Sequence, residues 1–324
     1  VGESGGTRRD GGRDRRRPTG PQSPDPDPLG VKRYAFARGR TPSGTVTRSR
    51  TRVDAHVKVL DDDVVALAKE RGIDALVYAP HFTRLTTVRE RAARYADDDL
   101  TIVPGREVFT GDWGNRRHLL VIGLDEPVPD YITFEAAMTE FDRQDAAVLV
   151  PHPGFATISL TRPEIAAHAE RLAAIETYNT KLLPHQNSRT RRIAEVTDMP
   201  GFGSSYAHLP GTVGEAWTEF DGELDDADAV VDAFRQERPR TVVHRGGVRH
   251  QLRGLLEFAH LGYENTWEKL DRLFLSGDEP TLPTNVVYES RFNDVSLYSG
   301  TLSHDRPQRG HRRGATASGR DVIA

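Results

Sequence analysis

The chain of 324 residues contains no cysteine. This absence excludes disulfide bonds, thiolate metal sites and catalytic thiols together. Any bound metal must therefore be held by histidine, aspartate or glutamate, the ligands that zinc, manganese and iron hydrolases use.

Long apolar runs are also missing. No stretch approaches the roughly 20 apolar residues that a membrane-spanning helix requires. The arginines near the N-terminus are not followed by the apolar segment of a signal peptide. The sequence therefore predicts a cytoplasmic protein with no membrane partner.

Lysine is scarce beside arginine, and the net charge of −4 hides an asymmetry. Residues 1–50 carry 12 Lys and Arg against 5 Asp and Glu, so the rest of the chain is acidic. An acidic, Asp-rich and Ala-rich body suits a high-salt cytoplasm, and we expect a haloarchaeal source. Surface acidity bears on solubility and not on the fold.

The two ends of the chain have little to bury. Residues 1–50 are mostly Gly, Arg, Pro, Asp and Ser, and residues 299–324 have a similar composition. Both are predicted to be disordered, the first as a basic arm. We prefer an uninformative tail over an arm that binds nucleic acid.

Between the ends, short apolar runs alternate with helical patterns. Residues 51–220 contain about seven predicted strands separated by helices, which is the periodicity of a parallel α/β barrel. An open doubly wound sheet is the alternative. The barrel is preferred because polar residues follow nearly every strand, whereas an open sheet concentrates them at one switch point. Residues 221–298 are interpreted as a small C-terminal extension.

The polar residues at the strand ends are of one chemical kind. The apolar run of residues 146–150 reads as a buried strand, and it leads directly to His152 between two prolines. Chemistry in α/β barrels is placed at such strand ends. The same design recurs elsewhere, where strand ends carry His56, His81, Glu107 and His208, and where His118 opens a further apolar run. Histidines and a glutamate delivered to one end of a barrel indicate a metal site.

A series of short elements, in this order, carries a family resemblance: DAHVK, APH, PGRE, HLL, HPG, ETYN and GSSYAH. In this order they resemble the polymerase and histidinol phosphatase (PHP) family, and the segment after Glu215 resembles its PHP-associated C-terminal segment. The resemblance implies a distorted seven-stranded TIM-like barrel that hydrolyses phosphoesters with two or three divalent metals. It also implies, as partner, a small phosphorylated substrate, a nucleotide or a nucleic-acid end.

The family's metal ligands can be carried over by position. Glu107 stands where a carboxylate bridges metals, and His118 and His152 complete one of those sites. His81 and His208 match ligands of another site, and His56 matches the first histidine of an H-x-H element. The resemblance thus implies six metal ligands. As catalytic residues we select Glu107 and His208 from this set, together with Lys58, which is not a family ligand.

Two positions depart from the family pattern. Lys58 replaces the second histidine of H-x-H, and Tyr206 replaces the aspartate before the final histidine. Neither side chain normally binds a divalent ion at neutral pH. We therefore expect one or two Zn, Mn or Fe ions rather than three, with the Lys58 ammonium near Glu107 and a phosphate oxygen.

Cations that follow strand ends are candidates for holding a substrate phosphate. We select Arg84, Arg116 and Lys181 for this role. Two other functions stay open, a non-catalytic binding or regulatory protein on a degenerate barrel and, ranked third, C–N hydrolysis of the amidohydrolase type. The sequence leaves the oligomeric state, the substrate and the metal open.

Overall fold

The fold is centred on one curled sheet of ten strands. The computed structural model describes residues 31–36, 49–81, 83–111, 116–155 and 158–263. The strand order is β1-β10-β9-β2-β3-β4-β5-β6-β7-β8. The strands are β1 (Lys32–Phe36), β2 (Arg50–Val57), β3 (Ala75–Tyr78), β4 (Thr101–Thr110), β5 (Arg117–Ile122), β6 (Ala147–Val150), β7 (Ala174–Asn179), β8 (Gly201–Ser204), β9 (Ala216–Asp221) and β10 (Arg240–His244).

Helices lie between most of the strands, so the prediction of a mixed α/β chain is confirmed. They are α1 (Asp62–Glu70), α2 (Leu85–Tyr95), α3 (Phe134–Arg143), α4 (Arg162–Ala167), α5 (Pro184–Thr197), α6 (Ala227–Arg235) and α7 (Gly247–Tyr263). Local signals explain where they begin. Asp61 accepts a hydrogen bond from the Val64 amide at 2.9 Å and so caps α1. Asp226 caps α6 in the same way.

The strand directions differ from the parallel arrangement that the sequence predicted. β2, β3 and β4 are parallel to one another, as are β6, β7 and β8, but β5 runs antiparallel to both of its neighbours. Only residues 111–116 separate β4 from β5 along the chain. Such a short connection can only join antiparallel strands.

The strand count also differs from the predicted seven, because ten strands form the sheet among the described residues. β9 and β10 extend it beyond β2, and β1 pairs antiparallel with β10. β1 lies inside the predicted disordered arm, so that prediction is wrong for residues 32–36. Of the rest of the arm, the described residues include only 31, 49 and 50. The tail of residues 299–324 lies outside the described residues. The domain boundaries stay predictions.

The sheet curls so that β8 approaches β2 again. The amide of Lys58 donates to the Ala207 carbonyl at 2.9 Å, just beyond the ends of the two strands. Buried Asp54 accepts from the amides of Ser205 and Gly214, both at 2.8 Å. The carboxyl ends of β2 and β8 are thereby held together, and the residues that follow them face one pocket.

The core lies on both faces of the sheet. One cluster packs α3, α4 and α5 against β5, β6 and β7, and another packs α6 against the inner side with the edge-to-face rings of Phe202, Phe220 and Phe234. Burial of this apolar surface stabilises the scaffold that carries the strand ends. Within the described ranges, no helix is both long enough and apolar enough to cross a membrane.

Candidate metal centre

Glu107, on β4, is fully buried, and both of its carboxylate oxygens are surrounded by nitrogen atoms. Oε1 lies 2.9 Å from Nδ1 of His118 and 3.2 Å from Nε2 of His152. Oε2 lies 2.7 Å from Nε2 of His81 and accepts a short hydrogen bond from Nζ of Lys58. One carboxylate therefore joins three of the predicted histidines and the predicted lysine.

The register of the β4–β5 hairpin brings Glu107 and His118 onto one face. His118 is paired with Phe109 and Glu107 with Leu120, so the two side chains are diagonal neighbours across the strands. The ring of Phe109 packs edge-on against His118 with centroids 3.9 Å apart. This contact restricts the His118 ring to the orientation that places Nδ1 on the carboxylate.

His152 is held in an unusual backbone conformation. Its φ of 33° is rare for a residue with a side chain. Its amide donates to Oε2 of Glu176 at 2.7 Å, and its Nδ1 lies 2.7 Å from Oγ of Ser159. These contacts direct the other ring nitrogen, Nε2, toward Glu107. Backbone strain of this kind is often found where a side chain must be aimed at a functional site.

Glu107, His118 and His152 fit a single divalent cation. All three are buried, and one ligand atom from each lies within 4.8 Å of the others. The nitrogens of both histidines converge on the same carboxylate oxygen, whereas the buried Nε2 of His118 has no hydrogen-bond partner in the described part of the chain. One carboxylate and two imidazoles are a donor set that zinc, manganese and iron accept.

The electrostatics of the site suit a cation. Burial lowers the pKa of His118 to about 4 and that of His81 to about 3, so both rings are neutral at neutral pH, as metal ligands must be. Burial raises the pKa of Glu107, but the charge of Lys58 and the contacts with His81 and His118 outweigh this effect and hold that pKa well below the ordinary range. Glu107 is therefore ionised.

Lys58 occupies the space beside the carboxylate. It follows β2 directly, is almost fully buried, and its Nζ donates to the Ala79 carbonyl at 2.6 Å as well as to Glu107. Burial lowers the pKa of Lys58, and the charge of Glu107 opposes this shift. Its ammonium lies over the ring of Tyr206 at 5.6 Å, so the two departures from the family pattern are neighbours.

Two of the predicted ligands lie at the margin of the cluster. His56 is fully buried with Nε2 3.5 Å from Glu107 and Nδ1 3.8 Å from Glu176, and neither nitrogen has a hydrogen-bond partner among the described residues. Nδ1 of His208 lies 3.0 Å from the carbonyl of Tyr206 and 3.1 Å from Nζ of Lys181. The three donors that fit one cation do not include His208.

The three predicted phosphate-binding cations are separated in the structure. Lys181 is buried, and its Nζ lies 5.1 Å from the centre of the Tyr206 ring. Arg84 is exposed at the start of α2, and Arg116 is half-buried, with burial lowering the pKa of its guanidinium.

The sequence did not reveal the residues that support the ligands. The ETYN element contains Glu176 and Asn179 but assigns them no role, and in the structure buried Glu176 receives hydrogen bonds from the His152 amide, from Asn179 and from Ser204. Ser159 gave no signal at all. The partners of Glu176 are distant in the sequence, and only the folded sheet brings them together.

Comparisons with known proteins agree with this fold. The PHP-associated (PHP_C) family profile matches residues 184–239, which include parts of the predicted barrel and of the predicted extension. No curated protein matches the chain in sequence. The crystal structure of PsfC from Pseudomonas syringae PB-5123 is similar with a TM-score of 0.53 and 18% identity, covering 66% of this chain and 99% of PsfC. At that identity the likeness shows the fold alone.

Two further structures are more distantly similar. A protein from Bifidobacterium adolescentis assigned as a metal-dependent phosphoesterase has a TM-score of 0.41 and 15% identity, covering 56% of this chain and 96% of its own. Endonuclease Q, solved with a 27-mer duplex carrying an abasic lesion, has a TM-score of 0.42 and 13% identity, covering 59% and 58%. Likeness at this level carries no functional argument. A haloarchaeal origin finds no support in these comparisons.

Proposed function

We propose that this protein is a metal-dependent hydrolase of phosphoester bonds. Its substrate is a phosphomonoester, a nucleotide or a nucleic-acid end. The observation that carries the proposal is the environment of Glu107, where two histidine nitrogens converge on one carboxylate oxygen and a buried lysine contacts the other. The family resemblance of the strand-end residues agrees with this chemistry.

The Glu107, His118 and His152 side chains would hold the metal, a Zn, Mn or Fe ion. A bound divalent ion polarises a phosphoryl oxygen and lowers the pKa of a bound water. His81 and His56 line the same carboxylate and would complete this centre or a second one. The buried ligands also exclude bulk solvent, which strengthens every charge interaction within the pocket.

The lysines supply the remaining positive charge. Lys58 reaches the space beside Glu107, where its ammonium would contact a substrate phosphate oxygen and offset charge that develops in the transition state. Lys181 is the favoured second contact, because it is buried and its Nζ also lies over the Tyr206 ring, 5.1 Å from the ring centre. Arg84 and Arg116 stay candidates for further contacts to the substrate phosphate. His208, next to Lys181, is proposed to act in proton transfer.

The proposal is tested with an aryl phosphate and the purified chain. Protein treated with a metal chelator should be inactive. The ion among Zn, Mn and Fe that restores the activity identifies the metal. Glu107→Gln removes the central charge and should abolish activity. The matched control is Glu195→Gln, which makes the same change at an exposed site on α5 and should keep full activity.

The same assay decides the alternative of a non-catalytic binding protein. The observation that favours this alternative is the Lys58 ammonium, which already neutralises Glu107 without a metal. A chain that binds metal but hydrolyses neither aryl phosphate, nucleotides nor DNA ends would reject the hydrolase proposal. A chain that hydrolyses amides instead would move the assignment to C–N hydrolysis.

A further inference from the structure

Helix α7 packs against the rest of the protein with its polar side. Its apolar residues Val248, Leu252, Leu255 and Leu256 are 51–80% exposed among the described residues. A surface helix normally turns its apolar side inward. The docking of α7 is therefore specified by its polar residues, and what those residues contact indicates what the helix is for.

One group of polar contacts fixes the first half of α7. His250 bridges two side chains, with Nε2 2.6 Å from the Tyr178 hydroxyl and Nδ1 2.7 Å from Oε2 of Glu215. Arg253, one turn later, donates to the other oxygen of Glu215. These buried contacts hold the helix against β7 and the start of β9, so its next turn has a defined position.

That next turn delivers Glu257 to the metal pocket. Glu257 is fully buried, and its Oε1 accepts from the amides of His208 at 3.1 Å and Leu209 at 2.9 Å. Its Oε2 lies 3.9 Å from Nδ1 of His208 and has no hydrogen-bond partner among the described residues. One carboxylate thus holds the backbone of the turn and also faces the imidazole that the turn carries.

The imidazole of His208 lies between charges of opposite sign. Nζ of Lys181 is 3.1 Å from Nδ1, and the Glu257 carboxylate approaches the same nitrogen. The family pattern would place a carboxylate at position 206, where this chain has Tyr206. The carboxylate beside His208 comes instead from a helix about fifty residues further along the chain. A carboxylate that orients a histidine is a common support in hydrolytic sites.

We propose that Glu257 is a positioning residue of the active site, which fixes the turn that carries His208 and sets the charge beside its ring. α7 is accordingly a wall of the active site, and the segment beyond the predicted barrel is required for activity. This inference rests on the proposed hydrolase function for its kinetic consequence. Its structural part, the influence of Glu257 on His208, is independent of that function.

Two substitutions separate the two parts of the role. Glu257→Gln keeps an oxygen acceptor for the two amides and removes the charge, whereas Glu257→Ala removes both. Glu195→Gln is again the matched control. Three measurements are made on each variant: hydrogen exchange of the amides of residues 207–209, the histidine ring signals in carbon-13 NMR spectra, and the kinetics with aryl phosphate. The His208 signals are identified by their loss in His208→Asn.

In Glu257→Gln we expect unchanged exchange at residues 207–209 and displaced His208 ring signals. We also expect kcat to fall by roughly 10- to 100-fold, the usual loss when such a carboxylate is removed, with KM unchanged. In Glu257→Ala we expect, in addition to these effects, faster hydrogen exchange of the amides of His208 and Leu209. Glu257→Asp restores the charge and should recover part of kcat.

Two results would overturn the proposal. Unmoved His208 signals in Glu257→Gln would show that the carboxylate does not influence the ring. Wild-type kcat in Glu257→Gln, with loss only in Glu257→Ala, would leave Glu257 a merely structural role. If the wild-type protein hydrolyses no phosphoester, the proposed function fails, and the ring signals still decide whether Glu257 sets the environment of His208.

Discussion

Lys58 and Glu107 form a fully enclosed ion pair at the centre of the pocket. The side chain of Lys58 is 4% exposed and that of Glu107 is 0% exposed. Burial removes the hydration of both charges. The attraction between the charges offsets this cost only when the remaining polar atoms of the two side chains have hydrogen-bond partners. Here the Ala79 carbonyl and the histidines satisfy them. The ammonium is thus a monovalent cation next to three side chains that fit a divalent one.

Replacing Lys58 by Met keeps the bulk of the side chain and leaves the carboxylate buried without its cation. We expect the metal-free variant to lose roughly 3 kcal/mol of unfolding free energy, in line with other broken buried pairs. Added Mn²⁺ should stabilise Lys58→Met more than the wild type, because the metal no longer competes with the ammonium for Glu107. Thermal unfolding with and without metal measures both effects.

Lys69→Met provides the control for this experiment. Lys69 pairs with Asp97 at 2.5 Å on the surface, with the two side chains 30% and 48% exposed. Such a pair contributes at most about 1 kcal/mol. If Lys58→Met and Lys69→Met behave alike, or if metal stabilises Lys58→Met no more than the wild type, Lys58 does not compete for the metal site.

The close approach of β8 to β9 and β10 leaves no room for a side chain at Gly203. A Cβ at this position would lie 2.5 Å from Cγ1 of Val242 on β10 and 3.3 Å from the Trp217 carbonyl on β9. We expect Gly203→Ala to cost roughly 1–3 kcal/mol of stability through overpacking. Gly211→Ala is the control, because nothing lies within 4 Å of its added Cβ and neither glycine has a positive φ. Equal denaturation midpoints for the two variants would contradict the observed packing of β8.

The sequence was sufficient to locate the cluster because its signal is local. An apolar run that shortly precedes His152 or Glu107 indicates both a strand and a polar residue that the strand positions, although Glu107 lies within β4 and not at its end. The expected contact between Lys58 and Glu107 followed from strand alternation, since His56 and Lys58 point to the same side. The structure places all of these side chains around one carboxylate.

What the sequence could not show depends on distant partners. β9 carries Glu219, which reads as a surface charge, but the structure buries it in ion pairs with Arg50 at 3.0 Å and Arg52 at 3.5 Å on β2. No local pattern reveals such compensation across about 170 residues. Glu257 could not be identified from the sequence either. The apolar residues of α7 lie on its exposed side, whereas the sequence pattern of the helix predicts that they face inward and that Glu257 faces solvent.

The stability of the protein should depend on pH through His244. Its ring stacks on Tyr178 with centroids 3.8 Å apart, and burial lowers its pKa from 6.5 to about 4. Between pH 4 and pH 6.5, His244 therefore binds a proton in the unfolded chain but not in the folded protein. Stability should fall as the pH drops from 6.5 to 4 and should lose nothing further from this group below that.

His244→Phe keeps the stacked ring and removes the titration. The wild type should lose up to about 3 kcal/mol relative to this variant across that pH window, from the size of the pKa shift. Urea unfolding of both proteins at pH 7, 6, 5 and 4 gives the difference directly. A difference that stays constant from pH 7 to pH 4 would show that His244 does not titrate in this way.

The central claim is that Glu107, His118 and His152 hold a divalent metal ion, and elemental analysis of the purified protein tests it most directly. His152→Asn is the suitable variant, because asparagine tolerates the positive φ of this position better than alanine does. His168→Asn, at a half-buried histidine outside the cluster, is the control. We expect metal in the wild type and in His168→Asn and loss of most of it in folded His152→Asn. Equal metal content in all three proteins, or none in any of them after exposure to Zn, Mn and Fe, would contradict the account.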